Sequence, residues 1–469
     1  MTDPTYRYRA LEQWLSQGIA DGRWPSHSRL PSIRELCARH GVSKATVQHA
    51  LRRLEARGVV EARPKSGYFV TRLPEPLPPP RPKTELEAPR PVTISHLLLD
   101  IMARNGAFDL KPAPETGEAP YGITALNRAI GRALRRQRRS NFQYYDEPAG
   151  DAGFREQLAL RYNRRGWPVT ADELCVTSGC QHALFLALMA CCQAGDVVAV
   201  ETPGFYGVLQ LLEQLNLKVI EIPARAETGM DMDALAQALE RWDIRACVVS
   251  PAFATPGGAL MPDEARARLI SMAEDHNLAV IEDDIYAESG FEHVPDPLKA
   301  RDRNGRVIHC SSFSKVLSRD LRLGWIAGGR WHDRILHLKL VTQLASSRYL
   351  QQGVADFMRE GALHAHLRRE RLRLREQRDE LLGDIRQWPG TVGVSVPQGG
   401  LALWLELPDT CDTLAVYQAA LQAGIVITPG PLFSASGDYT NGLRLSFAHP
   451  WNDRRRGALQ RLPALLGLH

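Results

Sequence analysis

SSFSKVLSRDLRLG, residues 311–324, decides how most of this 469-residue chain folds. It follows an apolar strand-like run, RVIHC (306–310), and leads into another, GWIAG (324–328). Lys315 therefore stands in a connection between two buried strands, with Ser312 and Ser314 beside it and Arg322 following. An amine among hydroxyls and a guanidinium suits a cofactor that carries both an aldehyde and a phosphate. The amine condenses with the aldehyde, while Ser312, Ser314 and Arg322 hold the dianion. Taken alone, the stretch reads equally well as an exposed helical lysine, so its neighbours must arbitrate.

Outward from it, strand-like runs alternate with helical patterns: CVT (175–177), VVAVE (197–201), VIEI (219–222), ACVVS (246–250) and AVIED (279–283). Such alternation predicts an α/β domain with a mostly parallel, buried sheet. VIEDDIY (280–286) puts Asp283 and Tyr286 just past one strand, where open sheets of this class gather ligand groups. There Asp283 would keep a pyridine nitrogen protonated, and Tyr286 would donate to a ring phenolate. SGCQ (178–181) lies between a strand and a helix, so the amides of Gly179, Cys180 and Gln181 suit a phosphate at a helix N-terminus. ETPGFYG (201–207) offers Phe205 as a stacking aromatic, although an ordinary core phenylalanine reads the same way. Residues 354–388 are Arg-rich with few breakers and read as one long solvated helix. A smaller α+β segment follows, with strands near LALWLEL (401–407), IVIT (425–428) and LRLSF (443–447).

In this order the segments resemble the fold-type-I aminotransferases from about residue 110 onward. The resemblance implies pyridoxal 5′-phosphate as cofactor, with Lys315 forming the internal aldimine, Asp283 pairing with the ring nitrogen and Phe205 stacking on the ring. It also implies that Tyr145, in YDEPAG, reaches a phosphate in a partner subunit, making a homodimer, and that Arg444, in LRLSFA, binds a carboxylate bidentately. Two departures stand out. In SPAFATPGG (250–258), Thr255 occupies the place of the family's ring-oxygen asparagine, and Arg319-Asp320 replaces the usual Pro-Gly after the lysine.

The first 72 residues have another character, with 13 Lys/Arg against six Asp/Glu in a chain whose overall charge is only +5. A basic module joined to a slightly acidic body is the layout of a DNA-reading head. One helical face carries Tyr8, Leu11, Trp14, Leu15 and Ile19. A second helix opens on Ser32-Ile33-Arg34-Glu35, a capping-box pattern, and stops at Gly41. Ser43 can cap a third, with Val47, Ala50, Leu51 and Leu54 inward and Lys44, Ala45, Gln48, His49 and Arg52 outward. VVEAR and YFVT then flank Pro64-Lys65-Ser66-Gly67 as a two-strand wing. LPSIRELCARHGVSKATVQHALRRLEARGVV, followed by SGYFV, resembles the winged helix-turn-helix of the GntR family. That likeness implies DNA contacts from Arg34, Ser43, Lys44, Thr46 and Gln48, with Lys65 and Gly67 in the wing. Gln48 suits a bidentate contact with adenine.

Between head and body, residues 73–91 hold eight prolines in 19 positions and read as a semi-rigid spacer. The expected organisation is a multidomain chain. A winged helix-turn-helix spans 1–72, a linker 73–91 and an aminotransferase-like body 92–469, divided into a large α/β subdomain (about 110–350) and a small α+β one (about 385–469). The longest apolar run, 183–192, is too short for a membrane span. Nothing at the N-terminus reads as a signal peptide, and the eight cysteines form neither a metal motif nor a disulfide framework. A cytoplasmic protein without membrane or metal is expected. As a whole the chain resembles the MocR family of regulators. This implies binding to a double-stranded DNA operator and sensing of an amino-acid-like effector, or of the cofactor itself, through aldimine exchange at Lys315. The rival reading is a working aminotransferase with an appended head.

Overall fold

The computed structural model describes residues 4–56, 59–63, 66–71, 77–83, 85–93, 97–104, 110, 121–137, 144–390 and 392–468. The chain divides into two compact units, Met1–Pro76 and Leu77–His469.

The first unit has α1 (Pro4–Ala20), α2 (Ile33–His40), α3 (Lys44–Ala56), β1 (Val60–Arg63) and β2 (Gly67–Val70). Ser32 and Glu35 close the expected capping box on α2, and Gly41 ends that helix in the left-handed conformation, φ 60°. The Ser43 hydroxyl accepts from the Thr46 amide at 3.2 Å, starting α3. Val47, Ala50, Leu51 and Leu54 of α3 are fully buried against Leu11, Leu15, Ile19 and Leu36. The antiparallel pair β1–β2 forms the wing, with Val60 opposite Val70 and Arg63 opposite Gly67. Pro64 and Lys65 lie outside the described residues.

The second unit begins with β3 (Arg90–Pro91), α4 (Leu97–Ala103), α5 (Tyr121–Arg135) and α6 (Ala152–Asn163). There follow β4 (Cys175–Thr177), α7 (Cys180–Cys191), β5 (Val197–Thr202), α8 (Tyr206–Gln214), β6 (Lys218–Arg225), β7 (Gly229–Met230) and α9 (Met232–Arg241). Next come β8 (Ile244–Val249), β9 (Ala252–Ala254), β10 (Ala259–Leu260), α10 (Asp263–Asp275), β11 (Ala279–Asp283), β12 (Val307–Ser312) and β13 (Gly324–Ala327). Strands β6, β5, β8, β11 and β12 run parallel in that spatial order. β13 lies antiparallel between β12 and β4, and β3 edges β6 antiparallel. The strands expected in the large subdomain are all present. Helix α7 carries the apolar run and is buried along most of its length because it packs on the sheet below the C-terminal strand ends.

Helices α11 (His332–Gln343), α12 (Arg348–Arg359) and α13 (Ala362–Ile385) lead into the small subdomain. The single solvated helix expected over 354–388 is instead two helices, broken at Gly361 with φ 74°. Nor is it simply solvated, since Leu363, Leu367, Leu374, Leu381, Leu382 and Ile385 of α13 are core residues. The arginines between them masked that apolar stripe. β14 (Gly393–Val394), β15 (Ala402–Glu406), α14 (Thr413–Gln422), β16 (Thr428–Pro429), β17 (Gly442–Ser446) and α15 (Asp453–Leu465) complete the chain, with sheet order β14-β15-β17-β16.

The proline-rich stretch behaves differently from a free rod. From Leu77 onward it is strapped to the body. Leu77 packs on the small subdomain's core, and the Pro78 carbonyl accepts from the Val394 amide at 2.8 Å. Arg81 pairs with Glu406 and Asp409, Lys83 with Asp438, and Arg90 with Glu221. Prolines lose donors, but their carbonyls and the intervening cations remain available for docking. Among the described residues, no helix is long and apolar enough to cross a membrane.

Candidate functional site

Parallel topology brings the loops after β4, β5, β8, β11 and β12 to one end of the large sheet, where side chains distant in sequence converge. Lys315 sits in a turn just past β12, held by the Val316, Leu317 and Ser318 amides, which all donate to the Phe313 carbonyl. Burial depresses its ammonium to about 7; Arg319 and Arg444 add repulsion, while Asp283 and Cys180 pull the other way. A lysine so held is about half free amine at neutrality, the form that attacks a carbonyl.

Asp283 ends β11 and is 4% exposed. Burial pushes its carboxyl up to about 6, against the Cys180 thiol, Lys315 and His309. The Cys180 Sγ donates to its Oδ1 at 3.2 Å. The neighbouring acids face elsewhere: Asp284 approaches Arg165 at 3.4 Å, and Glu282 lies 3.0 Å from His309 Nδ1. Strand alternation thus selects Asp283 from the EDD run. Behind it, the Tyr162 hydroxyl meets His309 Nε2 and accepts from Trp325 Nε1, both at 2.8 Å, a buried network with no short motif to announce it.

Gly179 begins α7 at φ 89°, and a Cβ there would lie 2.8 Å from an Arg322 guanidinium nitrogen. Glycine is thus required by conformation, and it leaves room for Arg322, whose Nη2 donates to the Ser178 carbonyl at 3.0 Å. The N-terminal amides of α7 and the Arg322 cation together make an anion cradle. Ser312 is buried, and its hydroxyl accepts from the Ser314 amide at 3.3 Å. Phe205 is the residue before α8 and packs at 5.0 Å from the Tyr206 ring, while the Gln181 side chain donates to the Gly207 carbonyl at 2.8 Å.

A second group closes the opposite side. Thr255, Tyr286 and Arg444 line one cleft with Phe253, Gly400 and Ala402. Arg444 Nε donates to the Thr255 hydroxyl at 3.3 Å, so this threonine orients the arginine from β17. Burial raises the Tyr286 phenol to about 12, keeping it a donor. At Arg319-Asp320 the chain turns, the Asp320 amide donating to the Ser318 hydroxyl at 3.3 Å, and Arg322 follows at φ 47°. Tyr145 is 78% exposed and Tyr144 74%.

In the head, Ser43, Lys44, Thr46 and Gln48 share the first turns of α3. Lys44, Ala45, His49 and Arg52 are exposed and Gln48 half-buried. The Ser43 and Thr46 hydroxyls lie 2.9 Å apart. Arg34 is exposed in the first turn of α2, and among the described residues neither it nor Arg52 forms an ion pair. Gly67 opens β2, and Lys65 lies outside the described residues. Sequence reading passed over Arg29, which bridges to Phe69 and sets an exposed cation beside Gly67.

The class I and II aminotransferase family matches residues 116–462, and the gntR family of bacterial regulatory proteins matches residues 7–70. The Escherichia coli HTH-type transcriptional regulators YjiR and YdcR are 37% and 34% identical to the chain; 97% and 98% of this chain align with 98% and 99% of theirs. Among solved structures, the α-aminoadipate aminotransferase LysN of Thermus thermophilus, complexed with N-(5′-phosphopyridoxyl)-L-leucine, is 28% identical. It superposes with a TM-score of 0.71 over 80% of this chain and 95% of its own. With a GntR helix-turn-helix and a class I and II aminotransferase fold in one polypeptide, matched end to end by two such regulators, the chain belongs to the MocR type of transcriptional regulators.

Proposed function

We propose that this chain is a cytoplasmic, homodimeric transcription regulator that binds pyridoxal 5′-phosphate in its body and a double-stranded DNA operator with its head. We further propose that it responds to an amino-acid-like effector. The observation that carries the reading is the coexistence, in one polypeptide, of an exposed α3 face with a half-buried lysine whose amine is depressed to about 7. The residues fit the cofactor. Arg322 and the amides of Gly179, Cys180 and Gln181 suit its phosphate, Asp283 its ring nitrogen and Phe205 its ring face. Bound there, it supplies an aldehyde carbon able to condense with an amine.

Each residue then has a task in sensing. Lys315 offers a neutral amine that an incoming amino group can replace. Arg444, oriented by Thr255, receives a carboxylate, so the effector carries both groups. Tyr286 keeps its proton and donates it in a hydrogen bond within the same cleft. The exposed Tyr145 supports completion of the site across a dimer. Effector binding shifts operator affinity only to the extent that it prefers one arrangement of the body over another.

The test is paired. Purified protein should show the absorbance of a lysine-bound cofactor, lost in Lys315→Ala, and a panel of amino compounds should alter both that spectrum and operator binding. Rapid multiple-turnover transamination without sequence-specific DNA binding would instead establish the aminotransferase reading.

A further inference from the structure

The strap crosses from one subdomain of the body to the other. Its first residues sit on the small subdomain, where the Pro78 carbonyl accepts from Val394 and the Arg81 amide and side chain meet Glu406. Its last residues sit on the large one, where Leu86 packs on the core against the sheet and Arg90 stands opposite Val219 of β6. Between these ends a ring of polar side chains closes. Lys83 Nζ donates to Asp438 Oδ2 at 2.6 Å and to Glu87 Oε1 at 2.8 Å, while Arg90 lies 2.9 Å from Glu87 and donates to Glu221 Oε2 at 2.8 Å. The Ser436 hydroxyl, 3.0 Å from Glu221 and beside Asp438, completes it. Glu221 of β6 is the junction. Its side chain is 4% exposed, and it also accepts from the Ala435 amide at 3.0 Å and the Ser434 hydroxyl at 3.2 Å. Among the described residues its ion-pair partner is Arg90. The segment arriving from the head thus supplies the counter-charge of a buried acid in the large sheet, where an unpaired charge is costly.

The small-subdomain side of the ring also touches the candidate site. Phe433, next to Ser434, accepts from the Gly204 amide at 2.9 Å and sets its ring 5.7 Å from that of Tyr206, so it holds the residues on either side of Phe205. The chain beyond Asp438 runs into β17, which carries Arg444. We propose that strap and effector cleft form one linked element, with Glu221 as the positioning residue that joins them; the inference rests on the reading of the cleft given above. A ligand that spans from the Lys315 end of the large sheet to Arg444 holds the two subdomains in the arrangement that the ring also holds. Each therefore stabilises the other, and by reciprocity the anchorage of the strap sets the affinity of the ligand. The cofactor alone draws on residues of the large subdomain and is indifferent to the ring. Leu77, where the strap begins, follows directly on the head unit, so occupancy of the cleft acts where the head is tethered.

Two probes separate linkage from scaffolding: pyridoxal 5′-phosphate, and N-(5′-phosphopyridoxyl)-L-alanine, in which a reduced bond joins the cofactor to an amino acid that keeps its carboxylate. Each is titrated into the cofactor-free full chain. Lys83→Met and Arg90→Gln, both in the strap, should weaken the conjugate about five- to ten-fold and leave pyridoxal phosphate unchanged. Glu221→Gln should weaken the conjugate to the same degree, and Arg90→Lys, which keeps the charge, should recover most of the loss. In the wild type, deuterium exchange of residues 77–91 should be slowed by the conjugate and not by pyridoxal phosphate. Equal weakening of both probes would make the ring plain scaffolding. Unchanged conjugate affinity in both strap variants, or the same strap exchange with either probe, would also overturn the linkage. The cleft itself is checked apart from the strap: if Arg444→Gln binds the conjugate as tightly as wild type does, the reading of the cleft falls and the linkage with it.

Discussion

The depressed amine of Lys315 gives the sharpest quantitative test. At pH 8 a group titrating at about 7 is about 90% neutral, whereas one at the ordinary lysine value of about 10.4 is about 0.4% neutral, a difference of about 200-fold in reactive amine. Loading of cofactor-free protein with pyridoxal phosphate, followed by absorbance across pH 5 to 11, should therefore reach half its maximal rate near pH 7. The causes of the depression fix the signs of two perturbations. Arg319→Gln removes a repelling charge, so the midpoint should rise by about one pH unit. Asp283→Asn removes an attracting charge, so the midpoint should fall, whatever it does to the plateau. A wild-type midpoint near 10, or shifts of the same sign in both variants, would refute the argument that burial and these charges set the amine.

Three further outcomes follow from the geometry. Gly179→Ala forces a side chain into a backbone conformation at φ 89° and ψ 173° that only glycine adopts readily, so cofactor affinity in a spectral titration should fall about ten-fold, for a backbone cost of about 1–3 kcal/mol. Leu51→Ala opens a cavity in the head's small core and should cost about 3–5 kcal/mol. Calorimetry should then show the head's unfolding lowered and the body's unchanged; coincident shifts of both would refute the division into two units. Arg34→Ala should weaken operator binding about five- to ten-fold across sequences and shallow the salt dependence, with the cofactor spectrum untouched. Gln48→Ala should lose discrimination chiefly at one base pair.

How much of this was legible beforehand depends on the range of the interaction. The head is a chain of local signals: Ser32 and Glu35 cap one helix, Gly41 stops it, Ser43 starts the next, and the period of Val47, Leu51 and Leu54 names the buried face. Lys315, Asp283, Gly179 and Arg322 were readable because parallel strands carry their loops to one end. The helix over 354–388 was misjudged because arginines interleave with its buried leucines, and burial depends on what packs against a helix. The proline-rich stretch misled similarly, since composition reports what its backbone cannot do and is silent about carbonyls and cations that find partners more than 300 residues away.

Sequence by itself determined the two folds and the order of their elements, and it named the candidate cofactor residues, because each rests on short-range pattern or on a residue type whose chemistry has few substitutes. Tertiary structure alone decided how burial and neighbouring charges set the proton affinities of Lys315 and Asp283, and how Thr255 serves Arg444. Those are properties of burial and of distance between remote segments. They set the proton affinities on which the proposed cofactor site depends.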